Sequence, residues 1–329
     1  MAPFTGVTKE HINSWNENGY CVFEQIIPPK LLAELRSLTD AARDIARDEF
    51  KNSPTGVALR AKGRAEVQRL QPIHRPDLPY EPIASLYGLQ SLRDAIAAVH
   101  PDPAAQLGKL KPVVVDGVGQ VQLGVLIEPA EQAWCTNWHR DWVHHALGAP
   151  RPEQHPTQGF TQKSAAFDEV FRDCSYFNQI NLALYDDSSL WVVPGSHKRF
   201  DSPEEIAHFP IVPTPAPDLQ GLTAEEREAA CRQYCEAMPG AVQLHLRAGD
   251  FAMYRNSLWH IGSYVPYVKR ATLHDIIDTP AMAEWVHTNV PTHFATKTLG
   301  RQNGNRDKRA EDALANAHGL SAEQTSARL

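Results

Sequence analysis

Basic charge is scarce in this chain. Its 32 lysines and arginines are outnumbered by 39 aspartates and glutamates, for a net charge of -7. There is thus no electrostatic footprint for nucleic acid or for an anionic membrane. Long apolar runs are missing too, and no segment approaches the about 20 residues a membrane span requires. The opening MAPFTGVTKEHINSWNENGY has no apolar stretch of the signal-peptide kind, which makes cytoplasm the expected location and a small molecule the expected partner, with no nucleic acid and no membrane. Cysteine is sparse: Cys21, Cys135, Cys174, Cys231 and Cys235 are odd in number and scattered, which suits reduced thiols rather than a disulfide framework. Cys231 and Cys235 stand four apart in a helical pattern, so they share a helix face rather than form half a zinc site. Internal repeats are absent as well, which excludes a solenoid.

What is present reads as an ordinary globular protein of 329 residues, 42% hydrophobic and 22% charged. A single domain is expected over 1–298, followed by a polar C-terminal tail at 299–329. Thr8 is placed to cap a helix that Asn18-Gly19 ends, Tyr20 to Phe23 reads as a strand, and Pro28-Pro29 opens a helix with leucines at helical spacing. Prolines 72, 76, 79 and 82 break the next segment into turns, and a short helix is expected over Ser91 to His100. Strands are expected at 112–115 and 121–126, with a turn around Gly117 and Gly119 between them. Insertions are expected near 143–175, a loop carrying His144, His145 and His155, and near 201–240, a helical excursion with a capping box at Thr223. Phe177 to Tyr185 and Leu190 to Val193 read as a hairpin around Asp186-Asp187-Ser188-Ser189. Gln179 and Asn181 share a face of that first strand, and polar groups pointing into a sheet need a ligand or an internal partner. Further strands are expected at 250–254 and at 270–277, where Arg270, Thr272 and His274 share a face. Many short strands with flanking helices indicate a mostly β protein, a barrel or double sheet.

The chemistry is concentrated in Asn137-Trp138-His139-Arg140-Asp141-Trp142. In an extended chain His139 and Asp141 project to one side, Trp138, Arg140 and Trp142 to the other. An imidazole and a carboxylate on one side are two thirds of the facial 2-His-1-carboxylate set that holds non-haem Fe(II) with open positions. A more ordinary reading stands beside it: a core histidine, with Asp141 paired to Arg140 or capping a helix near Val143. The likeness of His139-Arg140-Asp141 to a kinase catalytic loop ends at Ala146, where asparagine is needed, and no Asp-Phe-Gly follows.

Several segments then fall in one order: ENGYCVFEQIIPP, His139-x-Asp141, LWVVPGSHKR at 190–199, AGDFAMYRNSLWH ending at His260, and Arg270. The ordered set resembles the phytanoyl-CoA dioxygenase family of Fe(II)- and 2-oxoglutarate-dependent oxygenases, over about residues 8 to 280. The resemblance implies a double-stranded β-helix (jelly-roll, cupin-like) core, iron held by His139, Asp141 and His260, and Arg270 clamping the distal carboxylate of 2-oxoglutarate. A planar guanidinium suits that task because it makes two parallel charge-assisted bonds. Gln122 and Asn181 stand where related enzymes often contact the cosubstrate. The family commonly has a serine two residues after the distal histidine; here that residue is Gly262, and Thr272 is the expected substitute. Trp142 and Gln179 are the expected substrate contacts, and His197 of the Pro-Gly-Ser-His turn is less suited as a ligand than His260. The implied activity is oxidation, most simply hydroxylation, of an unactivated C–H with O2 as cosubstrate and release of succinate and CO2. Desaturation, cyclisation and epimerisation remain open, halogenation is disfavoured because Asp141 fills the carboxylate position, and the absence of a basic cluster argues for a small polar metabolite or natural product over a CoA thioester. The rival from another class is a metal-binding cupin-like protein without oxygenase activity.

Overall fold

The computed structural model describes residues 4–52, 54, 57, 68–70, 73, 75–100, 102, 105–107, 113–115, 118–120, 123–140, 178–199, 201–209 and 216–278. In chain order these form α1 (Lys9–Asn18), β1 (Tyr20–Phe23), α2 (Pro29–Asn52), β2 (Gln68–Leu70), α3 (Glu81–Gly88), α4 (Gln90–Val99), β3 (Gln106–Leu107), β4 (Val113–Val115), β5 (Val118–Gln120), β6 (Gly124–Ile127) and β7 (Trp134–Cys135). There follow β8 (Asn178–Ala183), β9 (Leu190–Val192), α5 (Pro203–His208), α6 (Ala224–Glu236), β10 (Val242–Gln243), β11 (Phe251–Arg255), β12 (His260–Tyr264) and β13 (Ala271–Asp278). The Asp141–Trp142 pair, Gln122, the whole 143–175 insertion and the 299–329 tail lie outside the described residues.

The strands make antiparallel sheets. The larger runs β1-β11-β8-β13-β6-β2, with β3 joining β13; the smaller runs β10-β9-β12-β7; β4 and β5 pair with each other. One face of the large sheet packs on helices. Leu31, Leu35, Leu38, Ala42 and Ala46 recur along one side of α2 and are buried with Ile180, Leu182, Phe251, Met253 and Leu273 from the strands. Each buried leucine there contributes about 2 kcal/mol, enough to seat the helix without help from propensity.

Local signals account for the ends of several elements. The Thr8 side chain accepts from the His11 amide while the His11 ring reaches back to the Thr8 amide, and Gly19 ends α1 at a φ of 80°. Thr223 and Glu226 form the same reciprocal cap on α6. Cys231 and Cys235 are both buried on α6, the shared face read from their spacing, and the four described cysteines are free thiols. No described helix is long and apolar enough to cross a membrane.

Two expectations fail. β8 and β9 are not a hairpin: β8 pairs with β11 and β13, whereas β9 pairs with β10 and β12 in the small sheet. The chain crosses between sheets at Asp187, whose amide and carbonyl bridge to Leu246 and whose carboxylate is drawn inside. In the 112–126 stretch the return strand is Val118–Gln120, with Gly119 opposite Val114 rather than in a turn, and the next strand starts at Gly124. Valines and leucines interrupted irregularly by glycine and glutamine lack the alternation that would fix those boundaries.

The other face of the large sheet positions the site. Ile180 and Leu182 face the helices, so alternation turns Gln179, Asn181 and Ala183 the other way, and register puts Tyr254, His274 and Thr272 beside them. A buried sheet face this polar is unusual for a core. The small sheet packs over it, with Leu190 and Val192 of β9 against Tyr254 of β11.

Candidate functional site

His139 and His260 lie directly opposite one another. Their backbones exchange both hydrogen bonds, at 3.2 and 3.1 Å, and their ring centroids are 4.3 Å apart. Each ring is fixed in the same way. Nδ1 of His139 is 2.6 Å from the Asn137 carbonyl, and Nδ1 of His260 is 2.7 Å from the Leu258 carbonyl. A carbonyl only accepts, so both Nδ1 atoms carry a proton, and in the neutral ring the lone pair is then on Nε2. That is the tautomer a metal-ligating histidine needs, imposed by the hydrogen bond at its other nitrogen. Two such imidazoles side by side fit a divalent cation of the iron or zinc type. Among the described residues no group of three His, Cys, Asp or Glu side chains comes together; the third expected ligand, Asp141, is not among them.

The residues next to the two histidines explain their placement. Trp138 is buried and donates its indole N–H to the Tyr234 carbonyl of α6 at 3.2 Å. Arg140 is buried on the same side, donating to the carbonyls of Ser196 and Ser257 at 2.9 and 3.1 Å and to Asp201 at 2.8 Å. Asp201 also accepts the indole N–H of Trp259 at 3.0 Å. One carboxylate thus holds the neighbour of each histidine. Sequence reasoning missed Asp201, which follows the Pro-Gly-Ser-His turn without a motif of its own. Arg140 donates to Asp201 and His139 stands opposite His260; the partners of Asp141 in the more ordinary reading lie outside the described residues.

The expected carboxylate clamp is a second cluster. Arg270 is 4% exposed and donates its Nε–H to Asp187 Oδ2 at 2.7 Å. Thr272 donates to the same oxygen at 2.5 Å, and the Ser189 amide donates to the other at 2.8 Å. Burial raises the Asp187 carboxyl, but Arg270, Ser189 and Thr272 outweigh it and hold it below the usual carboxylate value. The Arg270 backbone is gripped as well: its amide donates to Glu128 at 2.8 Å and its carbonyl accepts from Arg43 at 2.9 Å. Its Nη1, although buried, has no hydrogen-bond partner among the described residues. The guanidinium lies 5.0 Å from the Tyr264 ring centroid.

Gln179 and Asn181 find internal partners. Tyr254 donates to Gln179 at 2.8 Å, and Asn181 Oδ1 is 2.9 Å from His274 Nδ1. Tyr254 also packs edge-on against His260 at 5.2 Å, which joins this polar face to the histidine pair. His197 is buried against Gly19, away from the pair, and burial, with Arg255 and Lys198 nearby, pushes its pKa down to about 3. A cavity of about 170 Å³ reaches Arg270 and is lined by Trp191 and Ser263, which alternation puts on the face of the small sheet away from His260.

No family model and no curated protein sequence matches this chain. Among solved structures it is similar to EvdMO1 at 13% identity and a TM-score of 0.45, over 82% of this chain but only 50% of that one. It is similar to AviO1 from Streptomyces viridochromogenes Tue57 at 16% identity and a TM-score of 0.48, over 85% of this chain and 98% of that one. It is similar to EctD from S. alaskensis, solved with 2-oxoglutarate and 5-hydroxyectoine, at 14% identity and a TM-score of 0.47, over 85% and 79%. At these identities and scores the likeness assigns neither substrate nor chemistry to this chain.

Proposed function

We propose that this protein is an Fe(II)- and 2-oxoglutarate-dependent dioxygenase with a double-stranded β-helix core, similar to the phytanoyl-CoA dioxygenase family, which hydroxylates a small polar metabolite or natural product. The observation that carries the reading is the histidine pair: His139 and His260 exchange backbone hydrogen bonds, and each has its Nδ1 proton tied to the carbonyl two residues back. His139, His260 and Asp141 would hold the iron, which when bound supplies O2 activation coupled to decarboxylation of 2-oxoglutarate. The balance is one oxygen atom into succinate and one into the substrate C–H, with CO2 released. The protein's own part is binding and orientation. Arg270, with Nε fixed by Asp187, turns its terminal nitrogens to the distal carboxylate of 2-oxoglutarate, and its unpartnered, buried Nη1 supports that assignment. The polar face carrying Gln179, Asn181 and Tyr254 would line the approach to the metal.

A jelly-roll metal-binding protein without oxygenase chemistry is the second reading. One observation favours it, namely that Arg270 and Thr272 already hold a carboxylate, Asp187. The two readings part on turnover. Incubation with Fe(II), ascorbate and 2-oxoglutarate across small polar metabolites should give substrate-dependent succinate and a product one oxygen heavier, both lost in His260→Ala. Succinate formation that persists in His260→Ala removes that residue from the site.

A further inference from the structure

On β12 the residues sharing a face with His260 are Gly262 and Tyr264. The Tyr264 ring folds back along the strand. A Cβ built on Gly262 would lie 1.8 Å from the Tyr264 hydroxyl oxygen. That hydroxyl therefore fills the space in which a side chain at 262 would begin, about one bond length from where its first oxygen would stand. Gly262 has no need of glycine for its φ, since it is not among the positive-φ residues. What the position requires is the absence of a side chain.

Over the ring that carries this hydroxyl lies the Arg270 guanidinium, 5.0 Å from the centroid, with a buried Nη1 that has no partner among the described residues. Thr272 cannot serve a ligand there as a donor, because its one hydroxyl proton goes to Asp187. Tyr264 is 8% exposed, its backbone pairs with Trp134, and its hydroxyl makes no hydrogen bond among the described residues. A donor hydroxyl and an unspent guanidinium edge, set together in a polar interior, suit a carboxylate.

We propose that the Tyr264 hydroxyl is the second contact, beside Arg270, for the distal carboxylate of 2-oxoglutarate, and that Gly262 is there to admit it. This rests on the dioxygenase reading above. A phenol on a rigid ring reaches from one strand period further along β12 to the place where a serine at 262 would put its oxygen.

The test is equilibrium binding of 2-oxoglutarate under anaerobic conditions to the Fe(II)- or Mn(II)-loaded full-length protein, followed by calorimetry. Tyr264→Phe keeps the ring and should weaken 2-oxoglutarate about ten- to a hundredfold, the size expected for a lost bond to a charged group, with metal affinity unchanged. Gly262→Ala, which keeps the hydroxyl but displaces it, should weaken binding in the same way. Gly262→Ser in a Tyr264→Ala background, which removes the ring carbons that stand 2.3 and 2.9 Å from a Cβ at 262, should restore much of the affinity lost in Tyr264→Ala alone, which a merely structural role for Tyr264 would not produce. Wild-type binding with both single variants unaffected overturns the assignment alone. No 2-oxoglutarate binding by the metal-loaded wild type overturns the dioxygenase reading, and this assignment with it.

Discussion

Replacing Arg140 with methionine should destabilise the protein and loosen the histidine pair together. The substitution keeps most of the buried stem and removes the charge. It strands Asp201, whose side chain is 4% exposed, and leaves the carbonyls of Ser196 and Ser257 without their donor. Removing one partner of a buried ion pair costs about 3–5 kcal/mol, most of it the penalty for the charge left behind. For a domain of about 300 residues that is a fall in Tm of about 5–8 °C. Because Asp201 also holds Trp259, the step from Arg140 to Asp201 to Trp259 ties the residue after His139 to the residue before His260. The metal site should therefore weaken about tenfold, in the range found when residues supporting a ligand are removed. Calorimetric unfolding and Mn(II) titration read the two effects. Asp201→Asn in the same chain removes the stranded charge and should recover at least about 1 kcal/mol, a non-additivity expected only for side chains in contact. A Tm within about 2 °C of wild type, or strictly additive single variants, would refute the argument.

Gly19→Ala should be the costliest of the simple glycine substitutions, because its φ of 80° disfavours any side chain by about 1–2 kcal/mol and its Cβ would meet the His197 ring at 2.3 Å. Gly221→Ala, at a similar φ of 73° with nothing within 4 Å, isolates the backbone part, so equal losses in urea unfolding would show that the contact contributes nothing. Stability should also fall in mild acid through His197. Its folded pKa is pushed down to about 3, so below about pH 6.5 the unfolded chain takes up a proton that the folded state refuses. The stability is present above about pH 6.5 and is lost toward pH 3, at up to about 1.4 kcal/mol per pH unit. His197→Gln should flatten the decline in urea midpoint between pH 6.5 and 4, and parallel profiles would count against the assignment.

Local chemistry carried the sequence reading furthest. Thr8 and Gly19 bound α1 through a cap and a left-handed turn that any chain would use, and Thr223 begins α6 for the same reason. Alternation along a strand is geometric, and it put Arg270 onto one face with Thr272, whereas His139 and His260 were linked only by the resemblance of the ordered segments. What was hidden depends on which strands meet. Asp186 to Ser189 has the composition of a tight turn, yet the buried positive charge of Arg270 draws Asp187 inward and the chain changes sheets. Asp201 and Tyr264 belong to no motif: one acquires its role only when the neighbours of both histidines converge on it, the other only because residue 262 lacks a side chain.

The central claim is that His139 and His260 hold an iron to which 2-oxoglutarate binds with its far end on Arg270. Adding 2-oxoglutarate to the Fe(II)-loaded protein without oxygen and recording the visible spectrum tests it most directly. A metal-to-ligand charge-transfer band should appear in the wild type, be lost in His139→Ala and in His260→Ala, and need much more 2-oxoglutarate in Arg270→Gln. A wild-type protein that binds Fe(II) and develops no such band would contradict it.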